Sequence, residues 1–202
     1  MGVGSWPEAG RYGGYAPALV TPPAVLPVSL AEAKLHLRVD ASSEDDLIDL
    51  YLQTAVDYLD GYSGLLGKAI ITQTWRQTFD DFLYPLRLPL VASSITSLTY
   101  VNTAGSTVTL DSASYVLRRD ALGSYVEPVE TADWPATGLE LAAVNVTFVS
   151  GSALADVPPA IRTLILLLVG GFYANRESAG PIALPENGAV GLLIARHRKA
   201  SL

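Results

Sequence analysis

Residues 157–178 read VPPAIRTLILLLVGGFYANRES, a largely apolar run that predicts a helix. Its two prolines favour the first turn of a helix, where a residue needs no intrahelical partner for its N–H. The apolar residues of one helical face then recur at positions 161, 164, 165, 168 and 172. Leu166, Val169 and Tyr173 make the opposite side apolar too. A helix that is apolar on both sides is buried, either in a core or between subunits.

This helix is too short to cross a membrane, because a span needs about 20 apolar residues. Two glycines inside it are unusual, since each costs about 1 kcal/mol relative to alanine. They favour either a local kink or a close approach by the backbone of another subunit. The second interpretation predicts a subunit interface at Ile165, Val169, Gly170, Gly171 and Tyr173.

Composition limits the classes of function. The chain has 202 residues, half of them hydrophobic, so it can form a substantial core. It has no cysteine, which excludes disulfides and thiolate metal sites and fits a reducing cytosol or an assembled particle. The net charge is −7, and seven acids without a base lie between Asp40 and Gly67. An acidic chain repels phosphate, so we expect no tight grip on nucleic acid.

The N-terminal segment, residues 1–27, has five glycines, five prolines and no periodicity. This composition predicts an arm rather than a folded element. The arm is either a disordered terminus or an extension that orders against a neighbour through Trp6, Tyr12 and Tyr15.

Residues 28–69 form a predicted helical segment. Ser29 and Glu32 match a capping box, which begins a short helix. A second helix begins at Ser42 or Ser43 and ends near residue 63. Its predicted buried face consists of Leu47, Tyr51, Ala55, Tyr58 and Tyr62. Its first acids, Asp45, Asp46 and Asp49, form either an ordinary solvated face or a wall past which a polyanion slides.

Residues 70–151 form a predicted β-rich segment, because alternating apolar and polar residues replace the helical period. Asn102–Gly105 is typical of a hairpin turn. The fold class is therefore α+β, a helical bundle with an inserted small antiparallel sheet or sandwich. The core or interface helix occupies residues 152–178, and a loop and C-terminal tail occupy residues 179–202.

The C-terminal tail is apolar and then basic. It either packs on the body as a last helix or docks in a partner's groove, and the sequence leaves both open. The residues that carry this prediction are Val190, Leu192, Leu193, Ile194, Arg196, His197 and Arg198.

Catalytic chemistry has little support in this sequence. His36 and His197 are the two histidines, and neither has neighbours at metal-ligand spacing. Asp80 and Asp81 are adjacent acids, but adjacent side chains on a strand or helix point apart. We expect no enzyme, no cofactor and no metal. A hydrolase with paired acids and a sugar-binding sheet with Trp75 and Trp134 are the weaker alternatives.

Several short motifs follow one another in a recognisable order. They are YSGLLGK at 62–68, TQTW at 72–75, LPL at 88–90, ITSLTY at 95–100, VTFVSG at 146–151, VPPAI at 157–161 and YANRE at 173–177. The set resembles the head-tail connector (adaptor) family of tailed bacteriophages and of phage-derived gene transfer agents. The resemblance covers about residues 28–200 and leaves out the arm.

The resemblance implies a dodecameric homo-oligomeric ring beneath the portal protein, in the neck of a particle assembled in the bacterial host cytoplasm. Its helices would line or surround a channel that DNA crosses without sequence-specific binding, with Asp45, Asp46 and Asp49 facing it. The tail would dock on the portal, and a stopper or tail-terminator protein would bind on the tail side. The alternative is a stopper or tail-completion ring that contacts the tail instead of the portal.

Overall fold

The structure is a computed structural model that describes residues 15–176 and 188–198. The chain divides into two compact units. The β unit consists of Met1–Pro22 and Thr72–Gly151, and the helical unit consists of Pro23–Ile71 and Ser152–Leu202. The predicted α+β class is confirmed.

The described part of the β unit has eight strands. They are β1 (Ala18–Thr21), β2 (Gln73–Phe79), β3 (Leu86–Arg87), β4 (Ala92–Val101), β5 (Thr107–Thr109), β6 (Tyr115–Asp120), β7 (Gly123–Pro128) and β8 (Val144–Ser150). One antiparallel sheet has the order β1-β2-β8-β4-β5, and a smaller one has the order β3-β7-β6. The predicted turn at residues 102–105 joins β4 to β5.

Side-chain alternation explains how these two sheets share one core. Along β8 every second residue is buried, from Val144 to Ser150, as expected where one face of a strand is packed and the other is not. Trp75 of β2 pairs in register with Phe148 of β8. Both belong to a hydrophobic cluster that also contains Leu86 and Val126 of the smaller sheet. The Ser124 hydroxyl accepts a hydrogen bond from the Ala92 N–H at 3.0 Å, which ties β7 to the start of β4.

The interpretation of residues 1–27 as an arm needs a correction, because residues 18–21 form the edge strand β1. β1 pairs antiparallel with β2 through a register that shifts between Leu19 and Thr21. All four residues of β1 are exposed. The strand therefore has no buried face, and its sequence shows no alternation of apolar and polar residues. Tyr15 is also placed, and its hydroxyl donates a hydrogen bond to Asp80 Oδ1 at 2.6 Å. Trp6 and Tyr12 lie outside the described residues.

The described part of the helical unit has four α-helices, α1 (Leu30–Leu37), α2 (Asp45–Leu59), α3 (Pro159–Ala174) and α4 (Ala189–His197). The capping box that begins α1 is confirmed. The Glu32 N–H donates to Ser29 Oγ at 3.2 Å, and the Ser29 N–H donates back to Glu32 Oε2 at 2.9 Å. Leu52 of α2 and Leu164 of α3 are fully buried in one hydrophobic cluster with Ala33 of α1.

The predicted buried face of α2 is confirmed at Ala55 and in part at Tyr51, which packs against the hydrophobic cluster. It is wrong at Tyr58 and Tyr62, and Leu47 is only partly buried. The buried residues are Ile48, Leu52, Ala55, Val56 and Leu59. Both sets follow helical spacing, and they differ by a rotation of about one residue around the axis. A tyrosine carries a hydroxyl that needs water or a partner. The stripe that contains Tyr58 and Tyr62 therefore stays at the surface, where both are exposed.

Candidate functional site

The predicted interface residues of helix α3 lie partly in the core and partly at the surface. Ile165 and Val169 are fully buried in the hydrophobic cluster of their own unit. This corrects the prediction for these two residues, because a side chain enclosed by its own chain cannot contact a second subunit. Gly170, Gly171 and Tyr173 are partly exposed, and their place in a subunit interface stays a prediction.

The two glycines of α3 have different surroundings. A Cβ added at Gly170 would lie 3.4 Å from His36 Nε2 of α1, which is an ordinary van der Waals contact. A Cβ added at Gly171 would have no described heavy atom within 4 Å beyond its own helix backbone and chain neighbours. The chain's own packing therefore leaves room for a Cβ at both positions, with open space at Gly171.

Ion pairs join the helices of this unit on its surface. The Arg162 guanidinium of α3 donates a hydrogen bond to Glu32 Oε1 of α1. Lys34 Nζ of α1 lies 2.5 Å from Asp45 Oδ1 at the start of α2. The pKa of the Glu32 carboxyl is lowered, first by the Ser29 N–H and hydroxyl and then by Arg162. These residues connect α1 to both of its neighbours.

A second group fastens the end of α3 to the turn before α2. The Tyr173 hydroxyl donates a hydrogen bond to Glu44 Oε2, and Arg176 donates to Glu44 Oε1 at 2.7 Å. The Arg176 guanidinium also lies 4.4 Å from the centre of the Tyr173 ring. These contacts lower the pKa of the Glu44 carboxyl, with the tyrosine hydroxyl as the largest cause. They fix the point at which α3 ends.

The three predicted channel acids of α2 differ in their contacts. Asp45 is the ion-pair partner of Lys34, so part of its charge is neutralised within the chain. Asp46 is exposed. Asp49 accepts a hydrogen bond from Gln53 Nε2 at 2.5 Å, one turn later on the same helix. Asp46 therefore presents the most open carboxylate of the three.

The predicted tail residues from Val190 to His197 lie in α4, which packs on its own unit, and Arg198 follows its end. Val190, Leu193 and Ile194 contact the hydrophobic cluster there. Leu192 points away from it and is 71% exposed. Arg196 and Arg198 are exposed as well. The pKa of the His197 imidazole is lowered, first by burial and then by the positive charges of Lys68 and Arg196.

The adjacent acids of the β unit, Asp80 and Asp81, accept hydrogen bonds from residues of a loop. Asp80 Oδ1 accepts hydrogen bonds from the Tyr15 hydroxyl and, at 2.8 Å, from the Ala142 N–H. Asp81 Oδ1 accepts from the Thr137 hydroxyl at 2.8 Å.

The described residues contain no group of three or more His, Cys, Asp or Glu arranged to hold a metal ion. No helix of the described chain is long and apolar enough to cross a membrane.

The sequence has a counterpart among known families. Residues 27–115 match the family described as "Phage gp6-like head-tail connector protein". The resemblance to head-tail connectors is confirmed. The matched residues contain α1, α2 and the strands β2 to β5. No curated protein matches the chain.

Solved structures with the same fold extend this likeness beyond the matched connector residues. The chain is 22% identical, with a TM-score of 0.74, to one in a structure described as "Virion of native gene transfer agent (GTA) particle". That alignment covers 93% of this chain and 97% of the other. A chain in the "Neck of empty GTA particle computed with C6 symmetry" has 23% identity and a TM-score of 0.71, with the same coverage. At these identities the likeness shows the fold.

A further gene transfer agent structure contains a chain of similar fold. It is described as "Neck of native GTA particle computed with C12 symmetry", and its chain is 23% identical with a TM-score of 0.65. The alignment covers 92% of this chain and 97% of that chain. The fold shared with these chains thus extends over nearly the whole chain, beyond the residues matched by the family.

Sequence reasoning missed the contacts that join the helices of the helical unit. The pair formed by Glu32 and Arg162 is separated by 130 residues, and the pair formed by Glu44 and Arg176 by 132. No local pattern relates residues at such distances. The one available signal was that Arg162 lies in an otherwise apolar helix, which suggests that a carboxylate faces it.

Proposed function

We propose that this chain is the subunit of a structural head-tail connector (adaptor) ring that lies under the portal and joins capsid to tail. The connector family match over residues 27–115 is the observation that carries the proposal. The shared fold with chains of gene transfer agent particles supports it over nearly the whole chain. The proposed place is the neck of a virion or gene transfer agent particle, assembled in the host cytoplasm.

A homo-oligomeric ring is the proposed state of assembly. Two of the similar structures are particle necks computed with C6 and C12 symmetry, which supports a ring with twelve copies. On this chain, the open space beside Gly171 and the partly exposed Tyr173 give α3 a surface that a neighbour would cover. A close backbone approach there accounts for a glycine that the isolated chain does not need.

The proposed channel holds DNA without gripping it, for retention after packaging and for ejection. The net charge of −7 supports free passage, because like charges repel the phosphate backbone. Asp46 is the acid of α2 best placed to contribute, since it is exposed and Asp45 is paired with Lys34.

The proposed portal contact is α4. Its exposed Leu192 and its exposed basic end, Arg196 and Arg198, supply an apolar anchor and complementary charge for an acidic groove. The other face of α4 packs on the chain's own core. A tail-side stopper or tail-terminator protein is the proposed partner on the opposite side of the ring.

Removal of α4 tests the portal contact. A chain lacking residues 188–202 is compared with the full chain for binding to purified portal rings, and ring formation is recorded by electron microscopy. We expect portal binding to disappear while the β unit stays folded. Unchanged portal binding would contradict the adaptor role and favour a stopper or tail-completion ring that contacts the tail.

A further inference from the structure

We infer that residues 139–141 of the β unit form a docking tip for a different protein, one whose surface has an apolar pocket rimmed by lysine or arginine. The tip reads Leu-Glu-Leu. Leu139 is 106% exposed and Leu141 is 78% exposed. Single exposed leucines are common on protein surfaces, but these two flank Glu140 in one loop.

The base of the tip is held on both sides by backbone hydrogen bonds to the end of β4. The Gly138 N–H donates to the Val101 carbonyl at 2.9 Å, and the Val101 N–H donates to the Ala143 carbonyl at 2.9 Å. A Cβ at Gly138 would lie 3.0 Å from the Asn102 carbonyl oxygen, a tight contact that a side chain would relieve only by displacing this backbone by a few tenths of an ångström. The tip is therefore presented on a fixed base, which reduces the entropy lost on binding.

The strained backbone directly after the tip is held by hydrogen bonds. Ala142 has a φ of 60°, a left-handed conformation that is unfavourable for a residue with a Cβ. Its N–H donates to Asp80 Oδ1 at 2.8 Å, and the Tyr15 hydroxyl holds the same oxygen at 2.6 Å. A strained residue that its surroundings hold in place points to a functional loop. The contacts of Asp80 are thus explained as a support for the tip.

Charge selects the kind of partner. Glu140 is exposed between the two leucines. From Asp120 to Gly151 the β unit has five acids and no lysine or arginine, and two of the five, Asp120 and Glu127, are paired with Arg87 and Arg118. An apolar pocket with a basic rim is complementary to this arrangement. A second copy of this chain, with its net charge of −7, is less suitable.

The tip is too small to form a stable interface by itself. A stable interface buries about 1,200–2,000 Å² in total, which is far more than three residues supply. The tip acts as one anchor within a larger assembly, where repeated copies on a ring add their contributions. In this respect the inference rests on the proposed function, because the ring supplies the repetition.

The test places a photoreactive benzoylphenylalanine at Leu139 in the full chain, within cells that assemble particles. The matched control carries it at Leu35 of α1, which is 81% exposed. After illumination, the cross-linked peptides are mapped by mass spectrometry. We expect position 139, and not position 35, to join a peptide of another protein that has apolar residues beside lysine or arginine.

A charge variant completes the test. Glu140→Lys in the photoreactive chain reduces the adduct by about tenfold, the loss expected when an anchor of an interface is made repulsive. Its thermal unfolding midpoint stays unchanged because Glu140 is exposed. An adduct only with another copy of this chain, no adduct, a partner peptide without basic residues, or insensitivity to Glu140→Lys would overturn the inference. Portal binding is measured in the same preparation, so a chain that binds the portal yet fails at position 139 refutes the tip alone.

Discussion

The Tyr173 hydroxyl at the end of α3 donates a hydrogen bond to the Glu44 carboxylate just before α2, 129 residues away in sequence. Arg176 donates to the other oxygen of the same carboxylate and lies over the tyrosine ring. One carboxylate thus holds the last turn of the helix from which the chain continues towards α4. This group fixes the end of α3, the last described helix before the proposed portal-binding helix α4.

This relationship predicts an acid-sensitive contribution to stability. The folded pKa of Glu44 is lowered by Tyr173 and then by Arg176. The stabilisation is therefore complete above the ordinary pKa of a glutamate and is lost as the pH falls through the lower folded value. We expect Tyr173→Phe to reduce the drop in thermal unfolding midpoint on going from neutral to acid pH. Midpoints across this range measure it, and Tyr58→Phe, an exposed tyrosine of α2, is the control. Identical pH profiles for wild type and Tyr173→Phe would contradict it.

The capping box predicts a local loss of stability. Ser29→Ala removes the hydroxyl that accepts the Glu32 N–H, so the free energy of unfolding falls by about 1 kcal/mol. Urea unfolding followed by circular dichroism measures the change. Ser43→Ala lies in a turn whose cap makes no side-chain hydrogen bond and should have little effect. Equal effects of the two substitutions would show that the hydroxyl at position 29 does not cap α1.

Gly171 predicts a separation of folding from assembly. Gly171→Leu has open space within its own chain, so the subunit folds with unchanged or slightly raised stability. The added side chain would hold a neighbouring backbone away, and rings should be lost. Thermal unfolding and electron microscopy give the two readouts, and Gly171→Ala is the smaller control. Normal rings in Gly171→Leu would place the interface elsewhere.

Two adjacent leucines of α4 predict opposite outcomes. Leu192 is exposed, whereas Leu193 packs on the hydrophobic cluster of the helical unit. We expect Leu192→Ser to leave the unfolding midpoint unchanged and to weaken portal binding by about tenfold, as for loss of an interface anchor. Leu193→Ala should lower the unfolding midpoint instead. If Leu192→Ser binds portal normally, this face of α4 is not the docking surface.

Some expectations from the sequence depend on short-range chemistry, and these hold in the structure. Ser29 and Glu32 cap α1 because both partners lie within one turn. The turn at residues 102–105 joins β4 and β5 because four residues determine it. The buried face of α2 was misplaced because two apolar stripes of equal spacing lie side by side, and only the packing of α1 and α3 decides between them.

Local periodicity in the sequence is enough to predict the α+β class, the capped and proline-initiated helices and the hairpin. The order of its motifs is enough to predict the likeness to head-tail connectors. The tertiary structure alone decided that residues 18–21 complete a sheet, that Ile165 and Val169 of the 157–178 stretch belong to the core, and that Glu32 and Arg162 are partners. The physical reason is chain distance. The pairing of an edge strand and the burial of a side chain depend on where folding brings the elements together. The same holds for ion pairs between residues more than a hundred positions apart, and no local pattern in the sequence encodes these contacts.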